Sequence, residues 1–134
     1  LYQPMAYILG LRAKRMRPLL TLLAYDALAP EPRAIERCLQ TALAVELFHN
    51  FTLMHDDIMD NAPTRRGQPT VHARWDVNTA ILSGDALFAY TFQMLAGEHP
   101  ALAAQLVPVF SQAAMQVCEG QMEDMALATA TSAT

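Results

Sequence analysis

The chain of 134 residues, 53% hydrophobic and 16% charged, is long enough for one globular domain with a sizeable core. Its formal net charge of −4 excludes wholesale attraction to nucleic acid, although local cations can still hold an anionic ligand. Two distant cysteines, Cys38 and Cys118, exclude a disulfide framework and a zinc site, and are expected as buried thiols in a reducing cytosol.

Leu1 to Leu11 is a short apolar segment that reads as the end of an N-terminal helix. Four basic residues follow within six, in Arg12-Ala13-Lys14-Arg15-Met16-Arg17. They are either a solvated basic turn or an anion clamp, in which Lys14 and Arg17 converge from i, i+3 positions. Pro18 suits a helix start, and Leu19 to Ala29 continues as an apolar helix that Pro30-Glu31-Pro32 breaks.

Arg33 to Asp60 is predicted to be one long helix. Leu39, Leu43, Leu47, Phe51, Met54 and Ile58 recur at spacings of three and four, a stripe that should face a core. A second face carries His49, Thr52, Asp56 and Asp60. His49 alone would read as a packed core histidine, but its alignment with the carboxylates favours a helix beside a cavity. Asn61 to Thr70 is dense in turn residues and reads as a loop carrying Arg65 and Arg66. Thr70 is expected to cap a short segment, Val71 to Trp75, in which His72 and Trp75 serve packing. Asn78 to Gly97 is predicted as a helix interrupted at Gly84-Asp85, with Asp85 paired to an arginine or a backbone group.

Glu98-His99-Pro100 is the next break. Ala101 to about Leu127 reads as a further helix, bent at Pro108. The stretch from about His99 to Cys118 lacks acidic and basic residues, and is expected as a buried helix rather than a membrane span. No secretory signal is seen. The first residue is not Met, and the chain ends in Ala-Thr-Ala-Thr-Ser-Ala-Thr, so part of a longer protein is expected. No run alternates long enough to be a strand, and the class is all-α.

The organising stretch is Asp56-Asp57-Ile58-Met59-Asp60 followed by Arg65-Arg66-Gly67. On a helix Asp56 and Asp60 lie one above the other and repel, which a hard dication relieves. Mg²⁺ takes one or two protein carboxylates, keeps waters and binds substrate phosphates. Guanidinium forks bind phosphate oxygens bidentately. Acid for a metal beside base for a phosphate suggests a Mg–diphosphate site. There is no Gly-rich phosphate loop, no Ser-His-Asp order and no internal repeat.

This motif pair, with Glu46-Leu47 and His49 before it and Lys14-Arg15-Met16-Arg17-Pro18 further upstream, closely resembles the trans-isoprenyl diphosphate synthases, the polyprenyl synthetase family. Gly84-Asp85 and Gly120-Gln121-x-x-Asp124 are similar too. The likeness covers nearly all of the residues, but about the first half of a usual member, so residues 1–134 would be the N-terminal part of a single domain. It implies an antiparallel helical barrel around a central cavity, a cytoplasmic homodimer without a membrane span, and head-to-tail condensation of isopentenyl diphosphate with an allylic diphosphate. It also implies Mg²⁺, more than one ion, on Asp56, Asp57 and Asp60, with Asp56 and Asp60 the principal ligands. Arg65 would contact the allylic diphosphate. Lys14, Arg17, His49 and Arg66 would form the isopentenyl diphosphate site, and Gln121 and Asp124 would lie near the metals. Asp56, Asp60, Arg65 and Lys14 would carry catalysis. Phe51 and Thr52, just before the aspartates, would set a short to medium product of about fifteen to twenty carbons by filling the cavity floor.

Two departures stand out. Ala13 replaces the family's usual glycine before Lys-Arg, which bears on the isopentenyl site. The second aspartate-rich motif is absent, so the chain alone is expected to be inactive. A terpene cyclase and a non-catalytic or regulatory partner subunit of a prenyl synthase are the competing readings.

Overall fold

The computed structural model describes residues 1–30, 34–98 and 100–131. The chain divides into two compact units, Leu1–Leu95 and Ala96–Thr134. The first holds α1 (Tyr2–Gly10), α2 (Met16–Leu28), α3 (Glu36–Met59), two short strands β1 (Thr64–Arg65) and β2 (Gln68–Pro69), α4 (Val71–Arg74) and nearly all of α5 (Val77–Ala96). The second consists of α6 (Pro100–Thr131). The all-α class follows the sequence reading. The expected break at Pro30-Glu31-Pro32 falls partly, and that at Glu98-His99-Pro100 at its centre, outside the described residues.

The core of the first unit joins Met5 and Ile8 of α1, Met54 of α3, Val71 of α4, and Ala80 and Leu87 of α5. Each large side chain so buried contributes about 1.5–3 kcal/mol. Tyr7 packs edge-on against Trp75 with ring centroids 5.4 Å apart, and Arg74 lies over both rings. Trp75 therefore serves packing, as its composition suggested.

On α3 the stripe through Leu39 and Leu43 does not face the core: both are exposed. The buried set is Cys38, Ala42, Ala44, Glu46, Asn50, Met54 and Asp57. Small residues let neighbours approach closely here, and the buried Asn50 Nδ2 donates to Glu46 Oε1, so apolar spacing alone picks the wrong side of the upper helix. Asp57, Asn61 and Ala62 explain where α3 ends. Asn61 takes φ 49°, its N–H reaches Ile58 O (3.1 Å), and Ala62 N–H reaches Asp57 O (2.9 Å), a Schellman closure with Asn in the left-handed position.

The segment expected as a loop contains the strand pair. Thr64 lies opposite Pro69 and Arg65 opposite Gln68, leaving Arg66-Gly67 as a two-residue turn with φ of 54° and 75°. Two successive positive φ values define a type I′ hairpin turn, which suits the twist of the strands and demands glycine or a tolerant residue. Thr70 starts α4 with extended backbone but makes no side-chain cap. Its buried hydroxyl instead donates to Ala62 O at 2.7 Å and closes the base of the hairpin.

Helix α5 runs through Gly84 without the expected interruption. A Cβ there would stand 2.5 Å from His55 Nε2, so any larger residue would force the imidazole to move. Asp85 is exposed and faces His55 Nε2 at 3.6 Å rather than an arginine. Helix α6 is continuous past Pro108. The expected buried helix is largely exposed: 6% of its most apolar stretch is buried. Pro100–Ala128 is long and apolar enough to cross a membrane by length and composition, which is weak evidence for a span. Cys38 is buried, but Cys118, on α6, is exposed.

Candidate functional site

Asp56 and Asp60 sit one turn apart at the end of α3, and Asp60 N–H closes the helix onto Asp56 O at 2.9 Å. The Schellman closure and the hairpin then bring Arg65 back over the carboxylates. Its Nε donates to Asp57 Oδ1 at 2.8 Å, and its Nη2 to Asp56 Oδ2 at 3.2 Å. Successive helix residues point about 100° apart, so Asp57 faces inward where Asp56 and Asp60 face out: its side chain is 3% exposed and that of Asp56 35%. Burial raises the Asp57 carboxyl above its ordinary range, against the lowering effect of the Arg65 hydrogen bond and charge.

Asp56 and Asp60 are hard oxygen donors on an accessible face, the set Mg²⁺ takes while keeping several waters. Asp57 is enclosed and committed to Arg65, so it fits the role of an anchor better than that of a ligand. No group of three or more His, Cys, Asp or Glu side chains is arranged around one metal position among the described residues.

The basic half of the site lies around a cavity of about 410 Å³ whose lining includes Arg12, Lys14, Arg15, Arg17, Glu46, His49 and Arg66. The sequence-predicted isopentenyl diphosphate residues therefore converge, although they come from the loop before α2, from α2, from α3 and from the hairpin turn. Five cations face a single carboxylate, a field suited to a dianion or trianion. Arg17 Nη1 lies 3.2 Å from His49 Nε2. A guanidinium can only donate, so Nε2 accepts and the proton resides on Nδ1. Burial, then the Arg17 charge, lowers the His49 pKa. Burial, then Arg15 and Arg65, lowers that of Arg66. Arg66 is thus held among other cations, with no ion pair to a carboxylate among the described residues, and a phosphate would relieve that crowding. Arg65 and Arg66, adjacent in one turn, serve the carboxylates and the cavity respectively.

Phe51 joins an aromatic cluster. Its ring lies 4.9 Å from Phe88 and 4.7 Å from His55, and Phe88 meets Phe92 at 5.0 Å. Thr52 bonds back to His49 O at 2.8 Å. Gln121 and Asp124 lie three positions apart on α6, the first half-buried and the second exposed.

Sequence reasoning missed the group behind the cavity. Arg15 pairs with Glu46 and donates to Leu9 O, and buried Asn50 donates to Glu46 Oε1 at 3.0 Å. The available signal was Glu46 itself: an acid inside Ala44-Val45-Glu46-Leu47-Phe48 must be paired if buried.

The polyprenyl synthetase family model matches residues 1–134. The chain belongs to the polyprenyl synthetase family. It is 41% identical over 127 residues to a geranylgeranyl diphosphate synthase of Methanosarcina mazei, covering 93% of this chain and 38% of that protein. Among solved structures it is similar to geranylgeranyl pyrophosphate synthetase from Geoglobus acetivorans, with a TM-score of 0.88 and 38% identity over 94% of this chain and 41% of that one. It is also similar to a geranyltransferase of Helicobacter pylori complexed with magnesium and isoprenyl diphosphate (TM-score 0.71, 34% identity, 79% of this chain and 37% of that one). The chain thus spans about two fifths of the length of the relatives it matches.

Proposed function

We propose that the protein, at its full natural length, is a Mg²⁺-dependent trans-prenyltransferase. It condenses isopentenyl diphosphate head to tail with an allylic diphosphate to give a product in the C15–C20 range. The observation that carries this reading is the convergence of Lys14, Arg17, His49 and Arg66 on one cavity, with the neighbouring residue Arg65 on the Asp56–Asp57 pair. Two anion sites built by adjacent residues of one turn suit two diphosphates whose carbon ends must meet. The magnesium-bearing Helicobacter pylori relative supports the choice of metal.

Asp56 and Asp60 would hold Mg²⁺, which when bound supplies positive charge to the departing diphosphate. Arg65 adds a fixed cation at the same oxygens, where negative charge grows as the allylic carbon–oxygen bond breaks. Lys14, Arg17, Arg66 and the Nδ1–H of His49 bind the second diphosphate and orient its double bond toward the allylic carbon. The new carbon–carbon bond takes the electrons of that double bond, and loss of a proton restores an alkene. Phe51, backed by Phe88, lines an apolar space that excludes water from the cation and limits chain growth. By resemblance to the family, Gln121 and Asp124 are assigned to substrate binding in the full-length protein. We assign the full-length protein to the cytoplasm by resemblance to the family, and as a homodimer because the exposed apolar side chains Leu19, Leu20, Leu23 and Leu28 on α2 need cover.

The test is incubation of the full-length protein with Mg²⁺, isopentenyl diphosphate and dimethylallyl, geranyl or farnesyl diphosphate, with chromatographic sizing of the dephosphorylated products. A prenyl alcohol that disappears in Asp56→Ala is expected. No elongation from any primer by a folded protein rejects the synthase reading.

A further inference from the structure

Arg15 lines the cationic cavity but offers it no free charge. Its Nη1 is paired with Glu46 Oε1, and its Nη2 with Leu9 O and, at 3.3 Å, with Leu11 O. Glu46 is 8% exposed and Asn50 is fully enclosed. Asn50 Nδ2 fixes the carboxylate from behind, bonding Glu46 Oε1 at 3.0 Å and Glu46 O at 2.8 Å. One guanidinium therefore ties the end of α1 to the middle of α3.

The backbone at the same residue is unusual. Arg15 caps α2 at φ 50°, ψ 37°, the left-handed region that residues with a Cβ occupy seldom and at a cost. This is where the chain turns between Lys14, in the loop, and Arg17, in the first turn of α2, both of which line the cavity. A strained backbone persists only where its surroundings over-determine it, and here the three acceptors of the side chain do so.

We propose that Arg15, held by Glu46 and Asn50, is a positioning residue that sets Lys14 and Arg17 for the isopentenyl diphosphate. The assignment rests on the reading under Proposed function. Arg15 touches no substrate: it acts by fixing the turn on which two diphosphate contacts are mounted.

The test is calorimetric titration of the full-length protein with isopentenyl diphosphate and with inorganic diphosphate. Arg15→Gly accepts the left-handed backbone without strain but lacks the fork. It is expected to weaken binding of isopentenyl diphosphate roughly 10- to 100-fold, as losing a support behind a ligand-binding group does. Arg15→Lys, which keeps the charge and one contact, should fall between. Circular dichroism and a melting curve establish that each variant is folded. In a Lys14→Ala/Arg17→Ala background nothing remains to be positioned, so adding Arg15→Gly should change affinity by less than about twofold.

A purely structural Arg15 would lower the melting temperature and leave the affinity of the folded protein unchanged. Binding by Arg15→Gly within about threefold of wild type, or an equal loss in both backgrounds, overturns the proposal. So does a wild type that binds neither ligand. A wild type that binds isopentenyl diphosphate but elongates no primer rejects the synthase reading alone, because the affinity comparison does not depend on turnover.

Discussion

Gly84→Ala sets two opposing terms against each other. In an exposed helix interior, alanine for glycine stabilises by about 1 kcal/mol. Here the new Cβ would lie 2.5 Å from His55 Nε2 and 2.6 Å from its Cδ2, so the imidazole must move. That ring makes an edge contact with Phe51, centroids 4.7 Å apart, and lies 3.3 Å from Ile81 O. Losing an aromatic pair costs about 0.5–1.5 kcal/mol and overpacking about 1–3. The clash wins, and the net expectation is destabilisation by about 1 kcal/mol. In a His55→Ala background the obstruction is gone, so the same substitution should stabilise by about 1 kcal/mol, a coupling of about 2. Urea denaturation of the four proteins, read from midpoints at constant m, measures the cycle. Stabilisation by Gly84→Ala with His55 present, or a coupling below about 0.5 kcal/mol, refutes the reasoning.

Arg65→Ala strands the enclosed Asp57 carboxylate and should destabilise by about 3 kcal/mol. The loss should shrink at acid pH, where Asp57 takes up a proton, as denaturant melts at several pH values would show. His49 is held below its ordinary value of 6.5, so the unfolded chain binds the proton more tightly. Its contribution is present above pH 6.5 and is lost as pH falls from there toward the folded value; His49→Gln should flatten that limb of the stability–pH curve. Asp76 caps α5 through Thr79 N–H at 2.8 Å and Thr79 Oγ1 at 2.6 Å, and these bonds lower its pKa. Asp76→Ala should speed amide exchange in the first turn of α5 and remove an acid-dependent loss of stability. Gly67→Ala should destabilise by about 1–2 kcal/mol, since the turn requires a positive φ at that position; a neutral result in a thermal melt would reject the type I′ assignment.

The helices were legible because their apolar periodicity is long and their ends carry recognisable residues, such as Pro18 near the start of α2. The site was legible where chemistry forces residue type: clustered carboxylates, paired arginines and a basic turn. Periodicity could not say which stripe of α3 is buried, because Cys38, Ala42 and Ala44 leave a weaker apolar signal than Leu39 and Leu43, while Glu46 and Asn50 hide as polar residues on an inward face. Arg66-Gly67 did not announce a hairpin, since arginine is not the usual partner of glycine in such a turn. The partner of Asp85 could not be inferred, because it is set by how α5 crosses His55.

The tie between α1 and the hairpin makes that helix a support of the cation-lined cavity. Tyr7 OH donates to Pro69 O at 2.8 Å, its ring shares Arg74 with Trp75, and Leu9 O holds Arg15. Both arms that carry cations to the cavity are therefore moored to one nine-residue helix. Unravelling α1 would slacken Lys14, Arg17, Arg65 and Arg66 together, without altering any of them. On the proposed function, Tyr7, through its hydroxyl bond to Pro69 O, is a handle on anion affinity that a screen confined to the cavity walls would miss.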